Sequence, residues 1–241
     1  MVALGVGGRD EGGIDSDLAS QIGRILAADD VMPHRVQGWL TRRDTPEFWA
    51  QAADVCGLYL SPPTNAVVLS IDENTGIQAK LRKHPSQPVK PGRPERREFE
   101  YVRQGTASLI AALDVATGKV TASDVTRNDS VHFIEFLEQI DTTTDPELDI
   151  HVVLDNGNSH RSKATKKWFV EHPRFVVHHT PVHASWLNQV ESLFSILTRK
   201  VVRRDEFDSR TDLVQRMLDF IEHRNQTATP FKWVYNATHA T

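Results

Sequence analysis

The chain has little cysteine, no long apolar run and no excess of positive charge. Cys56 is the only cysteine in 241 residues, which excludes an intrachain disulfide and a zinc site built on several cysteines. No stretch approaches the roughly 20 apolar residues of a membrane-spanning helix, and the N-terminus has no leader pattern. With 39% apolar and 25% charged residues, we expect a soluble, cytoplasmic globular protein without a membrane partner.

The net charge of −4 argues against a DNA-binding protein until its distribution along the chain is considered. Residues 80–103 hold eight basic and three acidic side chains, and residues 161–204 hold nine basic and two acidic ones. Between these blocks, residues 104–160 hold two basic and ten acidic side chains. The segregation allows two basic surfaces beside an acidic one, although ordinary solvated faces are an equally good explanation.

The N-terminal quarter of the chain is predicted to be separate from the rest. Residues 1–16 are glycine-rich and aperiodic, so we expect them to be disordered. Residues 17–60 contain two short amphipathic helical patterns joined by a tight turn and followed by a linker. The second pattern is basic, with Arg35, Arg42 and Arg43. A partial helix-turn-helix that binds DNA fits these residues, and a plain helical hairpin fits them equally.

Residues 61–241 alternate between strand-like and helix-like patterns, which indicates an α/β domain with helices on the faces of a sheet. A proline-rich basic segment, 80–98, is predicted to be an extended loop. The predicted strands are 67–72, the two strands of a hairpin over 107–125 with its turn at 116–119, 150–155 and 175–177. The predicted helices are 129–140, 162–171, 185–203 and 210–224.

Two of the apolar strands end in an aspartate, VVLSID at Asp72 and HVVLD at Asp155. If the strands are neighbours, the two carboxylates lie side by side, where ligands gather in α/β sheets. Their repulsion is relieved by a shared proton or a bound cation, and hard oxygen donors suit Mg²⁺ or Mn²⁺. Taken singly, an aspartate at a strand end is more often a turn former or helix cap.

A third acidic residue lies on the helix predicted from residue 185. Glu191 is about 40° around the helix from Leu187, at the edge of the apolar stripe, so it is expected to face the sheet margin. A glutamate at such a boundary is more often simply solvated. Lys200, Arg203 and Arg204 fall away from the stripe, where they could contact a phosphate backbone.

Four polar neighbours are candidates for supporting roles. Glu73 follows Asp72 and should point to the opposite side of the strand. Asn156 and His160 lie in the loop after Asp155 and could contact metal-bound water or the scissile phosphate, although loop hydrogen bonding explains His160 equally well. Asn188 opens the Glu191 helix and could orient the site or satisfy the backbone there.

Three segments, SIDENTGIQA, VVLDNGNSH and TPVHASWLNQVES, resemble in this order the catalytic motifs of bacterial insertion-sequence transposases related to the Tc/mariner superfamily. The 35 residues between Asp155 and Glu191 are close to the spacing of these DDE enzymes. The resemblance runs from about Ser20 to the end of the chain. It implies an RNase H-like fold with Asp72 on the first strand, Asp155 on the fourth and Glu191 on a late helix. These three residues would be catalytic and would hold two Mg²⁺ or Mn²⁺ ions.

The resemblance also implies an activity and partners. The expected activity is metal-dependent cleavage at transposon ends followed by strand transfer into target DNA, without a nucleotide cofactor. The expected partners are the terminal inverted repeats, target DNA at TA, and a second copy of the chain on paired ends. Bound to DNA, the protein would associate with the nucleoid.

The chain departs from the family pattern at its N-terminus. Full-length relatives carry two helix-turn-helix units, and residues 17–43 resemble only the second, so an N-terminally truncated copy is expected. A catalytically inactive remnant that binds DNA and an RNase H-like nuclease remain alternatives. A small-molecule α/β enzyme is disfavoured because no glycine-rich phosphate loop is present.

Overall fold

The computed structural model of the chain describes residues 45–96, 98–203, 205–235 and 237. Several predictions fall outside these ranges: the disordered segment 1–16, the helix-turn-helix, and the side chains of Arg35, Arg42, Arg43 and Arg204. Within the described ranges, no helix is both long enough and apolar enough to cross a membrane.

The described residues are built around one mixed sheet of five strands in the order β3-β2-β1-β4-β5. The strands are β1 (Ala66–Arg82), β2 (Tyr101–Asp114), β3 (Val120–Val125), β4 (Asp149–Leu154) and β5 (Phe175–His179). The central strand β1 pairs antiparallel with β2 and parallel with β4. The outer strand β3 pairs antiparallel with β2, and β5 pairs parallel with β4. The predicted hairpin is confirmed, and Gly118 in its turn has a φ of 74°.

In the described part of the chain, five helices flank the sheet: α1 (Pro46–Leu60), α2 (Ser130–Thr143), α3 (Lys163–Glu171), α4 (Val190–Leu197) and α5 (Arg210–Gln226). A 3₁₀ turn (Ser185–Leu187) precedes α4, and a π-helical turn (Thr198–Val202) follows it. Side-chain oxygens cap the N-termini of four of these helices; the capping residues are Thr45, Asp129, Ser162 and Ser209. Helix α4 has no such local cap.

Apolar side chains from the two faces of the sheet form separate cores. On one face, α4, the π turn and α5 pack against β1 and β2, with Leu193 and Met217 fully buried. On the opposite face, α2 and α3 pack against β1 and β4 around Phe133 and Trp168. Helix α1 packs with Val68, Val153 and the 3₁₀ turn, so it supports the entry to α4.

Three sequence-based expectations need correction. Strand β1 does not end at Asp72 but continues to Arg82, because β2 pairs with it as far as Tyr101 while its parallel pairing with β4 stops at Ser70. The predicted helix 185–203 is interrupted at Asn188 and ends in π-helical geometry. Helix α1 lies in the stretch assigned to a linker, and its apolar face is buried although no helix was predicted there.

Candidate active site

Four carboxylates line one cavity of about 390 Å³, and three of them belong to the predicted Asp72, Asp155 and Glu191. Asp72 lies on β1, Asp155 directly after β4, and Glu191 in the first turn of α4. The parallel ladder ends at the pair Ser70–Val153, and each aspartate lies two residues further along its own chain. Adjacent parallel strands therefore bring Asp72 and Asp155 side by side, as expected from the sequence.

The Asp72 side chain has a strongly perturbed environment. The residue is only 7% exposed, and burial, followed by the charge of Asp155, raises its pKa to about 7. Its Oδ1 accepts a hydrogen bond from the Glu73 backbone N–H at 2.8 Å, and its Oδ2 accepts one from Asn188 Nδ2 at 3.3 Å. One carboxylate thus opposes ionisation of the other, a condition that a bound cation relieves.

Asp155 is fixed through one oxygen and left open at the other. Its Oδ1 accepts a hydrogen bond from the Gly157 N–H at 2.7 Å and lies 2.8 Å from Nδ1 of His160. The bond to His160, outweighing the effect of burial, holds the pKa of Asp155 below its usual value. A Cβ atom on Gly157 would lie 2.9 Å from this Oδ1 and 3.3 Å from Nδ1 of His160. No residue in the described part of the chain hydrogen-bonds Oδ2.

His160 connects Asp155 to a fourth carboxylate, Glu73. The His160 side chain is fully buried, and its Nε2 lies 3.1 Å from Oε2 of Glu73. Burial alone would lower the pKa of His160, but the hydrogen bonds and charges of Asp155 and Glu73 raise it to about 10. Because the ring is enclosed, it contacts neighbouring side chains and has no exposed surface for a phosphate. Glu73 follows Asp72 on β1, contacts this histidine and itself lines the carboxylate cavity.

The helix that carries Glu191 is held against β1 by a residue that the sequence analysis did not single out. Ser70 is fully buried, and its Oγ accepts the Val190 N–H at 2.9 Å and donates to Oδ1 of Asn188. Ser70 therefore supplies from β1 the cap that α4 lacks locally. Glu191 itself lies open at the mouth of the cavity, and partial burial, followed by the charge of Asp155, raises its pKa.

The two predicted asparagines have different surroundings. Asn188 donates through Nδ2 to the Ile71 carbonyl at 2.9 Å and to Asp72, so it both satisfies backbone and positions the carboxylate. Asn156 donates to the Thr180 carbonyl at 2.7 Å and accepts from Arg161 at 3.0 Å. Its amide therefore ties two loops together, and it is not among the residues that line the carboxylate cavity.

Two of the predicted cations have described positions: Lys200 lies on the π turn and Arg203 directly after it. Arg203 lines a second cavity that also includes Glu73 and Glu191, and Lys200 does not line it. Arg199, which the sequence analysis passed over, lines the same cavity. In the π turn, the Arg203 N–H donates to the Thr198 carbonyl at 2.9 Å. The spacing of apolar residues does not predict this geometry.

The donor chemistry of the cavity suits a hard divalent cation, since it offers carboxylate oxygens, and burial, followed by the charge of Asp155, raises the pKa values of Asp72 and Glu191. Among the described residues, however, no three His, Cys, Asp or Glu side chains already stand close enough together to hold a metal ion. The three carboxylates share a cavity without converging on one point. The residues fit a metal by charge and by donor type.

The sheet order, with acidic residues on β1, after β4 and on a late helix, defines an RNase H-like fold of the type found in enzymes that cut polynucleotides. The family profile described as DDE superfamily endonuclease matches residues 67–214, and the chain belongs to this family. The match includes Asp72, Asp155 and Glu191.

A curated relative is the insertion element IS630 uncharacterized 39 kDa protein of Shigella sonnei, which is 29% identical over 165 residues. The aligned region is 68% of this chain and 44% of that protein, so the chain spans less than half of its relative.

Solved structures of Mos1 transposase share the fold. The Mos1 mariner paired-end complex with Mn has a TM-score of 0.56 at 13% identity and covers 92% of this chain and 75% of that one. The Mos1 strand transfer complex has a TM-score of 0.55 at 16% identity, covering 90% and 72%. The catalytic domain of Mos1 mariner transposase has a TM-score of 0.52 at 11% identity, covering 78% and 93%.

Proposed function

We propose that this protein is the catalytic part of an insertion-sequence transposase that cuts DNA at the element ends and joins those ends to target DNA. The observation that carries the proposal is the shared cavity of Asp72, Asp155 and Glu191 in a chain of the DDE endonuclease family. The relative from an insertion element and the fold shared with Mos1 transposase support transposition over other uses of the fold.

In this proposal, Asp72, Asp155 and Glu191 hold two Mg²⁺ or Mn²⁺ ions. Bound divalent ions would lower the pKa of an attacking water or DNA 3′-hydroxyl and stabilise the leaving oxygen. The unpaired Oδ2 of Asp155 and the crowded carboxyl of Asp72 are the donors that the geometry leaves for this purpose. Glu191, at the open mouth of the cavity, supplies the third carboxylate from α4.

The surrounding residues orient these donors. His160 and Gly157 both bind Oδ1 of Asp155, which restricts rotation of the carboxylate. Asn188 does the same for Asp72, and Ser70 fixes the first turn of the Glu191 helix. The chain needs no covalent nucleophile of its own, because the attacking group belongs to water or DNA. Action on paired ends by a dimer, with terminal inverted repeats and target DNA as substrates, is part of the same proposal.

The test uses a supercoiled plasmid that carries the inverted repeats flanking the gene, incubated with the protein and Mg²⁺, Mn²⁺ or EDTA. We expect cleavage at the repeats with either cation, none with EDTA, and at least 100-fold less with Asp155→Asn, given the scale of electrostatic stabilisation at such sites. A matched control is Asp149→Asn, which alters an exposed aspartate at the other end of β4 and should cut like the wild type.

Mapping the cuts distinguishes the alternatives. Cation-dependent cuts at the repeats, followed by joined products, support a transposase. Cleavage confined to RNA–DNA hybrid would indicate an RNase H-like nuclease and overturn the proposal. Binding to the repeats without any cleavage would instead indicate an inactive DNA-binding remnant.

A further inference from the structure

A groove leads away from the carboxylate cavity between β1 and the π turn. The first part, about 460 Å³, shares Glu73 and Glu191 with the carboxylate cavity and includes Arg199 and Arg203. The second part, about 510 Å³, shares Arg203 with the first. We call these two adjoining cavities the β1–π groove. Because each cavity shares lining residues with the next, the groove is continuous with the site of chemistry.

We propose that the β1–π groove binds one strand of DNA next to the scissile phosphate, with Arg199 and Arg203 each contacting a backbone phosphate. This inference rests on the proposed function, because the strand in the groove is the one that the carboxylates cut. It assigns a route and two specific contacts to that strand.

The charge of the groove changes along its length in the way that this assignment requires. At the catalytic end the walls are acidic, where divalent cations would be held. Beyond Glu191 the charged side chains are Arg199 and Arg203, both exposed and without an ion-pair partner among the described residues. Phosphates further from the chemistry would therefore meet arginines, which bind them through forked hydrogen bonds.

The far part of the groove has more cations than anions. Lys80 and Arg82 lie on the β1 wall, together with Arg203 on the opposite wall. Asp205 is the acidic residue there, and it lies 3.9 Å from Nη1 of Arg216, which partly offsets its charge. Arg82 is also partly offset, since its Nε lies 4.0 Å from Glu206. We therefore place the principal phosphate contacts at Arg199 and Arg203.

The form of DNA that we assign to this groove is a single strand. The walls between the arginines are polar and uncharged, with Asn74, Thr75 and Thr198 offering hydrogen-bond donors and acceptors. Charged grooves that follow one backbone are the usual means of binding single-stranded nucleic acid.

Salt-dependent binding tests the assignment. Affinity for a fluorescent single-stranded 20-mer and a 20-base-pair duplex is measured by anisotropy in EDTA, where no cutting occurs, at several salt concentrations. Each lost contact to a single-strand phosphate reduces the steepness of the plot of log K against log salt by about 0.7. Near 0.1 M salt this corresponds to a loss of about five-fold in affinity. For Arg199→Ala/Arg203→Ala we expect a slope reduced by about 1.4 and roughly 25-fold weaker binding.

Two controls keep the result specific. Lys200→Ala removes an exposed cation from the same turn, outside the groove lining, and should leave the single-strand slope nearly unchanged. Arg199→Lys/Arg203→Lys retains both charges and should keep most of the slope. Unchanged single-strand binding by the double alanine variant, or an equal loss with Lys200→Ala, overturns the inference. A loss seen with the duplex alone overturns the single-strand assignment.

The plasmid assay separates this inference from the proposed function. If the wild type cuts the repeats while the alanine variant binds single strands normally, the groove assignment fails and the function stands. If the wild type cuts nothing while the variant still loses single-strand binding, the groove assignment stands and the function fails.

Discussion

Replacing Gly157 by alanine should destabilise the protein and impair the site, although the backbone there is not in the left-handed region. The added Cβ atom would lie 2.9 Å from Oδ1 of Asp155, closer than packed atoms tolerate. Because Oδ1 is held by His160 and by the Gly157 N–H, it cannot move without losing charge-assisted bonds. Such bonds contribute about 1.5–3 kcal/mol each, so we expect Gly157→Ala to lose about 2–3 kcal/mol.

The measurement is thermal unfolding followed by circular dichroism in EDTA. A loss of this size lowers Tm by roughly 4–12 °C for a domain of about 200 residues. Gly57→Ala is the matched control, since Gly57 lies exposed in α1 and its Cβ would meet no atom within 4 Å. Alanine favours a helix over glycine, so this variant should gain about 0.5–1 kcal/mol. If Gly157→Ala unfolds at or above the wild-type Tm, the steric argument is refuted.

Two further predictions concern the site. Asp72→Asn should stabilise the metal-free protein at pH 8. The pKa of the Asp72 carboxyl rises from 3.8 to about 7 on folding, so this group contributes stability below pH 3.8 that is lost as the pH rises through 7. The loss amounts to at most about 4 kcal/mol, and the asparagine variant avoids it. Urea unfolding in EDTA should show this gain at pH 8 and a smaller gain, about 1.6 kcal/mol, at pH 5, and an equal gain at both would contradict it. Ser70→Ala should cost about 2–3 kcal/mol and slow plasmid cleavage, because it leaves the buried Val190 N–H unpaired. Wild-type stability and cleavage would show that the contact is dispensable.

Much of the fold could be predicted because it is encoded locally. The hairpin around Gly118, the helix beginning after Asp129 and the strand preceding Asp155 follow from turn residues, capping side chains and apolar runs. The family and the RNase H-like fold, inferred from three motifs, are confirmed by the profile match and by the shared fold. The catalytic and metal-binding roles of Asp72, Asp155 and Glu191 stay predictions.

The errors have a common physical origin. Strand β1 runs past Asp72 because β2 extends along it, and pairing with a distant strand leaves no trace in apolar alternation. The helix predicted over 185–203 divides because α4 is capped by Ser70, 120 residues away in sequence. Residues 46–60 form a helix whose apolar side is covered by Val68 and Val153, which its own sequence does not reveal.

The sequence by itself determined the identities and spacing of the acidic residues, and through them the family to which the chain belongs. It also placed Asp155 at the end of an apolar strand and Glu191 on a helix. The tertiary structure alone decided that His160 is enclosed between Asp155 and Glu73, that Ser70 anchors the Glu191 helix, and that Arg199 lines the groove while Lys200 does not. Local patterns report which face of an element is apolar. Contacts between elements far apart in sequence depend on how the strands pair and how the helices pack.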